Sequence, residues 1–365
     1  MSRRHDDLFD GIASFAALHH AARRAVAGKR SKPGAAGFFA NLEGELLRLE
    51  RQLRDGSYRS GRYLELIVRD PKRRLVSAAP FRDRVVHHAL VGVIGPIFER
   101  GFINHSYANR VGKGTHRAVA RFEHLRDRHT HVLRADIWRY FPAIDHAVLK
   151  RDLRRRIACP RTLALCDSLI DGSNLQEPAE CFFPGDDLLS VAARRRGLPL
   201  GNLTSQFFAN VYLDGFDHWV SEVLRAPYLR YVDDFALFTD DPARLEDWRA
   251  RIDDYLCGRR LRLHPAKTRI AATAQPQGFL GFELLADGRR RLNAANVTRF
   301  RNRLEDLRGR WRRRELDGDD VRCRVGSWIA HARHANTAHL RHTLFKGGWF
   351  DPLWADGCPV EVPLP

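Results

Sequence analysis

Two strand-type runs, Tyr228-Leu229-Arg230-Tyr231-Val232 and Phe235-Ala236-Leu237-Phe238, are joined directly by the acidic pair Asp233-Asp234. Apolar, aromatic-rich runs that abut in this way fold back as a β-hairpin. The tip of such a hairpin ordinarily carries Asn-Gly or Asp-Gly, whose backbones accept the turn. Two like charges there repel, and are tolerated when water or a bound cation neutralises them. An Asp-Asp pair by itself has no weight, because the chain contains six, at 6–7, 186–187, 233–234, 240–241, 253–254 and 319–320. Only 233–234 lies between two strand-type runs, and on that evidence alone a solvated turn and a cation site are both open.

A second acid narrows the choice. Asp136 closes the strand-type run His131–Ala135 and precedes Ile137-Trp138-Arg139-Tyr140-Phe141, an apolar sequel for an acid meant to face water. A helix N-cap is the alternative role, and Asp145 before His146–Leu149 fits that role better. Carboxylates on neighbouring strand ends are hard oxygen donors, and two such clusters would hold two cations about 3.5–4 Å apart.

Around these acids the periodicity alternates between helix and strand. Residues 1–60 read as basic and helical, with Leu42, Leu46, Leu47, Leu49 and Leu53 at helical spacing until Asp55-Gly56 ends the run. Tyr63–Val68 and Arg74–Ala78 flank Asp70-Pro71-Lys72 and predict a basic hairpin. Helices are expected over 83–100, 116–127, 145–157, 161–170, 204–224 and 243–256, with a short strand pair around 268–284 and basic helices from about 291. Residues 171–196 read as loop-rich. Mixed helices and antiparallel hairpins make the class α+β.

Charge points to the partner. The formal net charge is +18, with 62 Lys and Arg against 44 Asp and Glu. Such an excess favours a polyanion, since each basic side chain near a phosphate releases condensed counterions. The six cysteines (159, 166, 181, 257, 323 and 358) include no CxxC pair, which disfavours a disulfide framework or a local zinc site. No apolar run approaches the roughly 20 residues of a membrane span, and residues 1–30 lack a signal-type apolar core, so a cytoplasmic protein with no membrane partner is expected.

At this point the motifs resemble a known family. Arg134-Ala135-Asp136-Ile137-Trp138-Arg139-Tyr140-Phe141 resembles the first palm motif of the reverse transcriptases, and Tyr231-Val232-Asp233-Asp234 resembles their YxDD box. Other likenesses follow in the family's order, from near residue 60 to near residue 345. Arg73-Arg74-Leu75-Val76 and Pro80-Phe81-Arg82-Asp83-Arg84 resemble the fingers motifs, and Ser106–His116 resembles the loop leading into a helix. Pro265-Ala266-Lys267-Thr268 and Gly278-Phe279-Leu280-Gly281-Phe282 resemble the last palm motif and the primer-grip turn. Arg299, Arg301, Arg303, Arg308, Arg310 and Arg312–Arg314, with Trp311, resemble a thumb that tracks a duplex.

The resemblance implies a right-hand polymerase. It comprises a basic helical extension (1–60), fingers and palm with an antiparallel sheet and helices (61–290), a helical thumb (291–345) and a tail (346–365). It implies two Mg²⁺ ions held by Asp136, Asp233 and Asp234 with the Ile137 backbone, and a primer extended on template RNA from deoxynucleoside triphosphates. Arg73 and Arg74 would meet the triphosphate, for which the guanidinium fork is suited; a solvated hairpin edge is the plainer reading. Phe141 would gate against the ribose 2′-hydroxyl, or is simply a core Phe. Lys267 would protonate the pyrophosphate leaving group, or is a surface lysine.

One segment departs from the commoner pattern. In Gly197-Leu198-Pro199-Leu200-Gly201-Asn202-Leu203-Thr204-Ser205-Gln206, Leu200 stands where most of the family has Gln, and Gln206 where most has Pro. This is similar to the reverse transcriptases of diversity-generating retroelements, which copy template adenines with low fidelity. Leu200 packs but cannot hydrogen-bond the nascent pair, and losing about 1–3 kcal/mol of discrimination raises errors roughly ten- to hundredfold. That likeness implies error-prone cDNA synthesis, a structured template RNA and a small basic accessory protein. The short stretch after Phe345, with nothing like an HNH nuclease, fits it. A phage-defence or group II intron-like enzyme, or a non-catalytic RNA-binding protein on the same fold, are the alternatives.

Overall fold

A computed structural model describes residues 4–30, 32–68, 74–172 and 181–346. It resolves into two compact units. The first comprises Met1–Gly114, Leu133–Leu237 and Pro242–Ile270; the second comprises Thr115–Val132, Phe238–Asp241 and Ala271–Pro365.

The first unit opens with α1 (Asp10–Ala13), α2 (Phe15–Val26), α3 (Pro33–Ala40) and α4 (Leu42–Arg54). In α4 the apolar stripe Leu46, Leu49 and Leu53 is buried. Glu43 and Glu45 in its first turn and Arg51 and Arg54 in its last oppose the helix dipole. The hairpin β1 (Leu64–Val68) and β2 (Arg74–Ala78) follows, antiparallel with Leu66 opposite Val76. The turn expected at Asp70-Pro71-Lys72 lies outside the described residues. Next comes α5 (Phe81–Glu99), whose buried Val85, Val86, Leu90 and Ile94 anchor the unit's core.

After α6 (Thr115–Arg126), β3 (His131–Asp136) leads into the short α7 (Tyr140–Ala143), α8 (His146–Arg154) and α9 (Pro160–Asp171). Asp145 caps α8 as expected, its Oδ1 accepting the Val148 N–H at 3.0 Å. Among the described residues, the stretch read as loop-rich contains a helix, α10 (Leu188–Ala193), started by a reciprocal box between Asp187 and Ser190. That accounts for one of the acidic pairs. Then come α11 (Leu203–Glu222), β4 (Tyr228–Tyr231), β5 (Asp234–Thr239), α12 (Pro242–Gly258) and β6 (Arg269–Ala272). A four-stranded sheet has the order β4-β5-β3-β6.

The strand pair expected near 268–284 forms differently. β6 joins the four-stranded sheet, while β7 (Gln277–Phe279), β8 (Phe282–Leu284) and β9 (Arg290–Leu292) make a separate antiparallel sheet. Leu280 and Gly281, with φ of 48° and 90°, form a two-residue turn that fixes β8 as the local partner of β7. β6 is left to pair elsewhere.

The second unit also contains α13 (Ala294–Arg312), α14 (Gly318–Ala332) and α15 (Ala338–Phe345). Phe300, Leu304, Leu307, Val321, Val325, Ile329 and Phe345 pack its core, with the Phe300 and Trp328 rings stacked at 3.8 Å. The architecture is the α+β mixture the sequence predicts. Among the described residues no helix is long and apolar enough to cross a membrane.

Candidate active site

Asp136 ends β3 with its side chain buried, and its backbone carbonyl accepts the His264 N–H at 2.7 Å. One residue on, the Ile137 N–H donates to the Asp233 carbonyl at 3.2 Å. That bond ties the end of β3 to the tip of the β4–β5 hairpin, and brings Asp136 beside Asp233 and Asp234. Lys267 enters from the turn before β6, its Nζ 2.6 Å from Asp136 Oδ2.

The electrostatics follow from this crowding. Burial, then repulsion from Asp136 and Asp234, pushes the half-buried Asp233 carboxyl up to about 6. Burial and Asp136 raise Asp234 as well. Arg134 sits two residues before Asp136 on the same strand face. Burial and neighbouring Arg269 pull its guanidinium below the ordinary value, while Asp234 opposes that pull. Partly buried carboxylates that repel one another are hard oxygen donors in want of a cation, the set that Mg²⁺ takes. The donor chemistry suits the metal the family implies, while Lys267 already pairs with Asp136 and, among the described residues, no group of three or more His, Cys, Asp or Glu side chains is arranged to hold an ion as it stands.

The hairpin tip departs from ordinary turn chemistry. β4 and β5 pair with Tyr231 opposite Asp234, leaving Val232 and Asp233 as a two-residue loop. Val232 has φ of 59°, where a β-branched side chain is strained and glycine is the usual occupant. Beneath it Arg230, fully buried, donates to the Val232 carbonyl at 2.8 Å. Sequence reasoning passed over Arg230 and its ion-pair partner Asp217. The available signal was a charged residue inside an otherwise apolar strand, since such a group is rarely buried without a partner.

The middle segment lies against the residues after Asp136. The Leu198 N–H donates to the Phe141 carbonyl and the Gly197 N–H to that of Ile144, at 2.9 and 2.8 Å. The Phe141 ring is half-buried and meets Tyr140 edge-on at 5.6 Å. Leu200 is half-buried, and its carbonyl accepts the Ser77 N–H of β2 at 3.1 Å. Asn202 clamps the same strand, donating to the Ser77 carbonyl at 2.7 Å and accepting from the Ala79 N–H at 3.1 Å. Gly201, at φ 102°, lets β2 approach, for a Cβ there would stand 2.8 Å from Val76 Cγ1. Gln206 is half-buried in the first turn of α11. Arg74 is exposed at the start of β2, and Arg73 lies outside the described residues.

Comparison with known proteins accords with this arrangement. The family model described as reverse transcriptase (RNA-dependent DNA polymerase) matches residues 69–284. Protein YkfC of Escherichia coli (strain K12) is 26% identical over 315 residues, covering 73% of this chain and 80% of that protein. Among solved structures, a telomerase from Candida albicans in complex with a TWJ fragment of telomeric RNA aligns with a TM-score of 0.46 at 13% identity. That alignment covers 65% of this chain and 46% of that one. An apo telomerase from Candida tropicalis aligns with a TM-score of 0.45 at 12% identity, covering 67% and 59%. The chain thus spans less than two thirds of either telomerase chain. With the family model matching from residue 69, ahead of β2, through β8, which is more than half of the chain, the chain belongs to the reverse transcriptase (RNA-dependent DNA polymerase) family.

Proposed function

We propose that this reverse transcriptase is catalytically competent, extending a primer on an RNA template by two-metal nucleotidyl transfer. The observation that carries the proposal is the bond from Ile137 N–H to the Asp233 carbonyl, which gathers Asp136, Asp233 and Asp234 at adjoining strand ends. Those carboxylates would hold two Mg²⁺ ions, with the Ile137 backbone as a further donor. Bound there, Mg²⁺ supplies Lewis-acid stabilisation of an in-line displacement and acidifies the primer 3′-hydroxyl.

The chain's own groups would do the rest. Arg73 and Arg74 receive the triphosphate of the incoming deoxynucleotide. Lys267, an exposed ammonium already at Asp136, donates a proton to the departing pyrophosphate. The Phe141 ring excludes the 2′-hydroxyl, and Leu200 and Gln206 shape the pocket around the nascent pair. The net charge of +18 supports binding of template RNA and primer or cDNA.

The biological role that fits best is error-prone cDNA synthesis in a diversity-generating retroelement, with a small basic accessory protein. Leu200 supports it: an aliphatic side chain beside the pair pocket makes no hydrogen bond that would penalise a mispair. Primer extension on RNA with deoxynucleotides and magnesium tests the chemistry. Full synthesis by Asp233→Ala, or none by the wild type, overturns it. A near-repeat beside the gene that differs at adenines is expected for the retroelement role; a neighbouring phage-defence cassette would argue instead for a defence enzyme.

A further inference from the structure

We propose that Arg230 is a positioning residue for the catalytic turn, fixing the Val232 carbonyl and thereby the place of Asp233 and Asp234. The inference rests on the reading of those aspartates as the catalytic acids.

Arg230 is the largest fully buried side chain of the protein's described residues. Its Nε and Nη2 donate to the two carboxylate oxygens of Asp217 at 2.7 and 2.6 Å, a fork-to-fork pair. Nη2 also reaches Ser106 Oγ at 3.1 Å, and Nη1 reaches Asn210 Oδ1 at 3.3 Å and the Val232 carbonyl at 2.8 Å. Tyr228 adds its hydroxyl to Asp217 Oδ1 at 2.9 Å. The Arg230 backbone is held too, its N–H donating to the His105 carbonyl and its carbonyl accepting from the Tyr107 N–H, both at 2.9 Å.

A buried ion pair is a poor device for stability alone, because an apolar pair of similar volume does as well or better. What an apolar pair cannot supply is a donor aimed at one chosen carbonyl. Here that carbonyl belongs to the single strained residue of the turn, Val232 at φ 59°. A strained backbone persists only where its surroundings over-determine it. Asp217 and Asn210 both lie on α11, so the guanidinium transfers the rigidity of that helix to the turn bearing the acids.

Arg230→Lys keeps the positive charge opposite Asp217 but offers one head group where the guanidinium spans four partners. For folded Arg230→Lys we expect kcat of primer extension to fall about 30- to 100-fold, as misplacing a reacting centre by an ångström does. The KM for deoxynucleotide should stay within about threefold, and the half-saturating Mg²⁺ concentration should rise several-fold. Adding Val232→Gly, which makes the turn intrinsically favoured, should recover about tenfold of the lost kcat and return the Mg²⁺ requirement toward the wild type. Asp217→Asn, which keeps the shape of the pair, should move kcat and Mg²⁺ in the same directions by about threefold or more, and serves if Arg230→Lys does not fold. The inference is overturned if the folded variants show wild-type kcat and Mg²⁺ dependence, or if lost activity merely tracks lost folded protein. An inactive wild type sinks the functional reading itself, so the two failures are distinguishable.

Discussion

Replacing Asp233 by Asn should make the metal-free protein more stable while abolishing synthesis. Burial and two neighbouring carboxylates raise the Asp233 carboxyl from the usual 3.8 to about 6. At roughly 1.4 kcal/mol per pH unit, that rise limits the destabilisation at pH 7 to about 3 kcal/mol. The group is half-buried, so solvent screening reduces the figure to about 1–2 kcal/mol. Asn has the same shape and no charge, which makes the difference recoverable. A gain of that size moves the melting temperature of a protein this large by about 1–3 °C.

The pH dependence gives the sharper test. Because the folded-state value lies above the unfolded one, the native protein binds more protons between about pH 4 and 6, and the wild type loses stability as pH climbs through that window. In chelator, the melting curves of wild type and Asp233→Asn should coincide near pH 4 and separate to their full difference by pH 7. Magnesium should then raise the wild type, by about 1.4 kcal/mol at tenfold excess over its dissociation constant, and raise the variant less. A variant less stable than wild type at pH 7 in chelator, or a difference that ignores pH, would refute the claim that these carboxylates strain the apoprotein.

Three further expectations concern the nucleotide. Phe141→Val should lower discrimination against ribonucleotides by about tenfold or more in single-nucleotide incorporation, whereas a Phe serving only the core leaves the ratio unchanged. Lys267→Met removes the ammonium 2.6 Å from Asp136 and should cut the single-turnover rate by about a hundredfold; a change under twofold makes Lys267 a bystander. Leu200→Gln should reduce misincorporation opposite template adenine by about tenfold, measured by sequencing cDNA, and an unchanged adenine error frequency removes Leu200 from the account of fidelity.

Much of the four-stranded sheet around the acids was legible because its signals are local. The β4–β5 hairpin, Asp136 at a strand end and the Asp145 cap all follow from neighbours within a few residues. Local signals also misled. The run 268–284 carries three short strands, and only the Leu280-Gly281 turn tells which two pair, because leucine at positive φ is no turn residue by composition. The hold on Leu200 was out of reach for a different reason. Its carbonyl meets Ser77, more than a hundred positions earlier, through a backbone bond that no side chain advertises.

Helix α11 reads in sequence as one long apolar helix, and its polar positions look like interruptions. Placed on the helix, Gln206, Asn210 and Asp217 are spaced i, i+4 and i+11, which sets them along one face within about 40° of each other. Asn210 and Asp217 are buried, and both terminate on Arg230. The stripe therefore begins beside the segment proposed to line the nascent pair and ends under the turn bearing Asp233. At 1.5 Å per residue the two ends are about 16 Å apart, bridged by unbroken helix. A mispair that shifts the Leu200–Gln206 segment would load this helix, and a helix transmits displacement along its axis better than a loop does. Sensing of the pair and placement of the acids would then share one mechanical element. Substitutions at Gln206 and Arg230, 24 positions apart in the chain, should accordingly be non-additive in kcat; strict additivity would mean that the helix only supports the two sites separately.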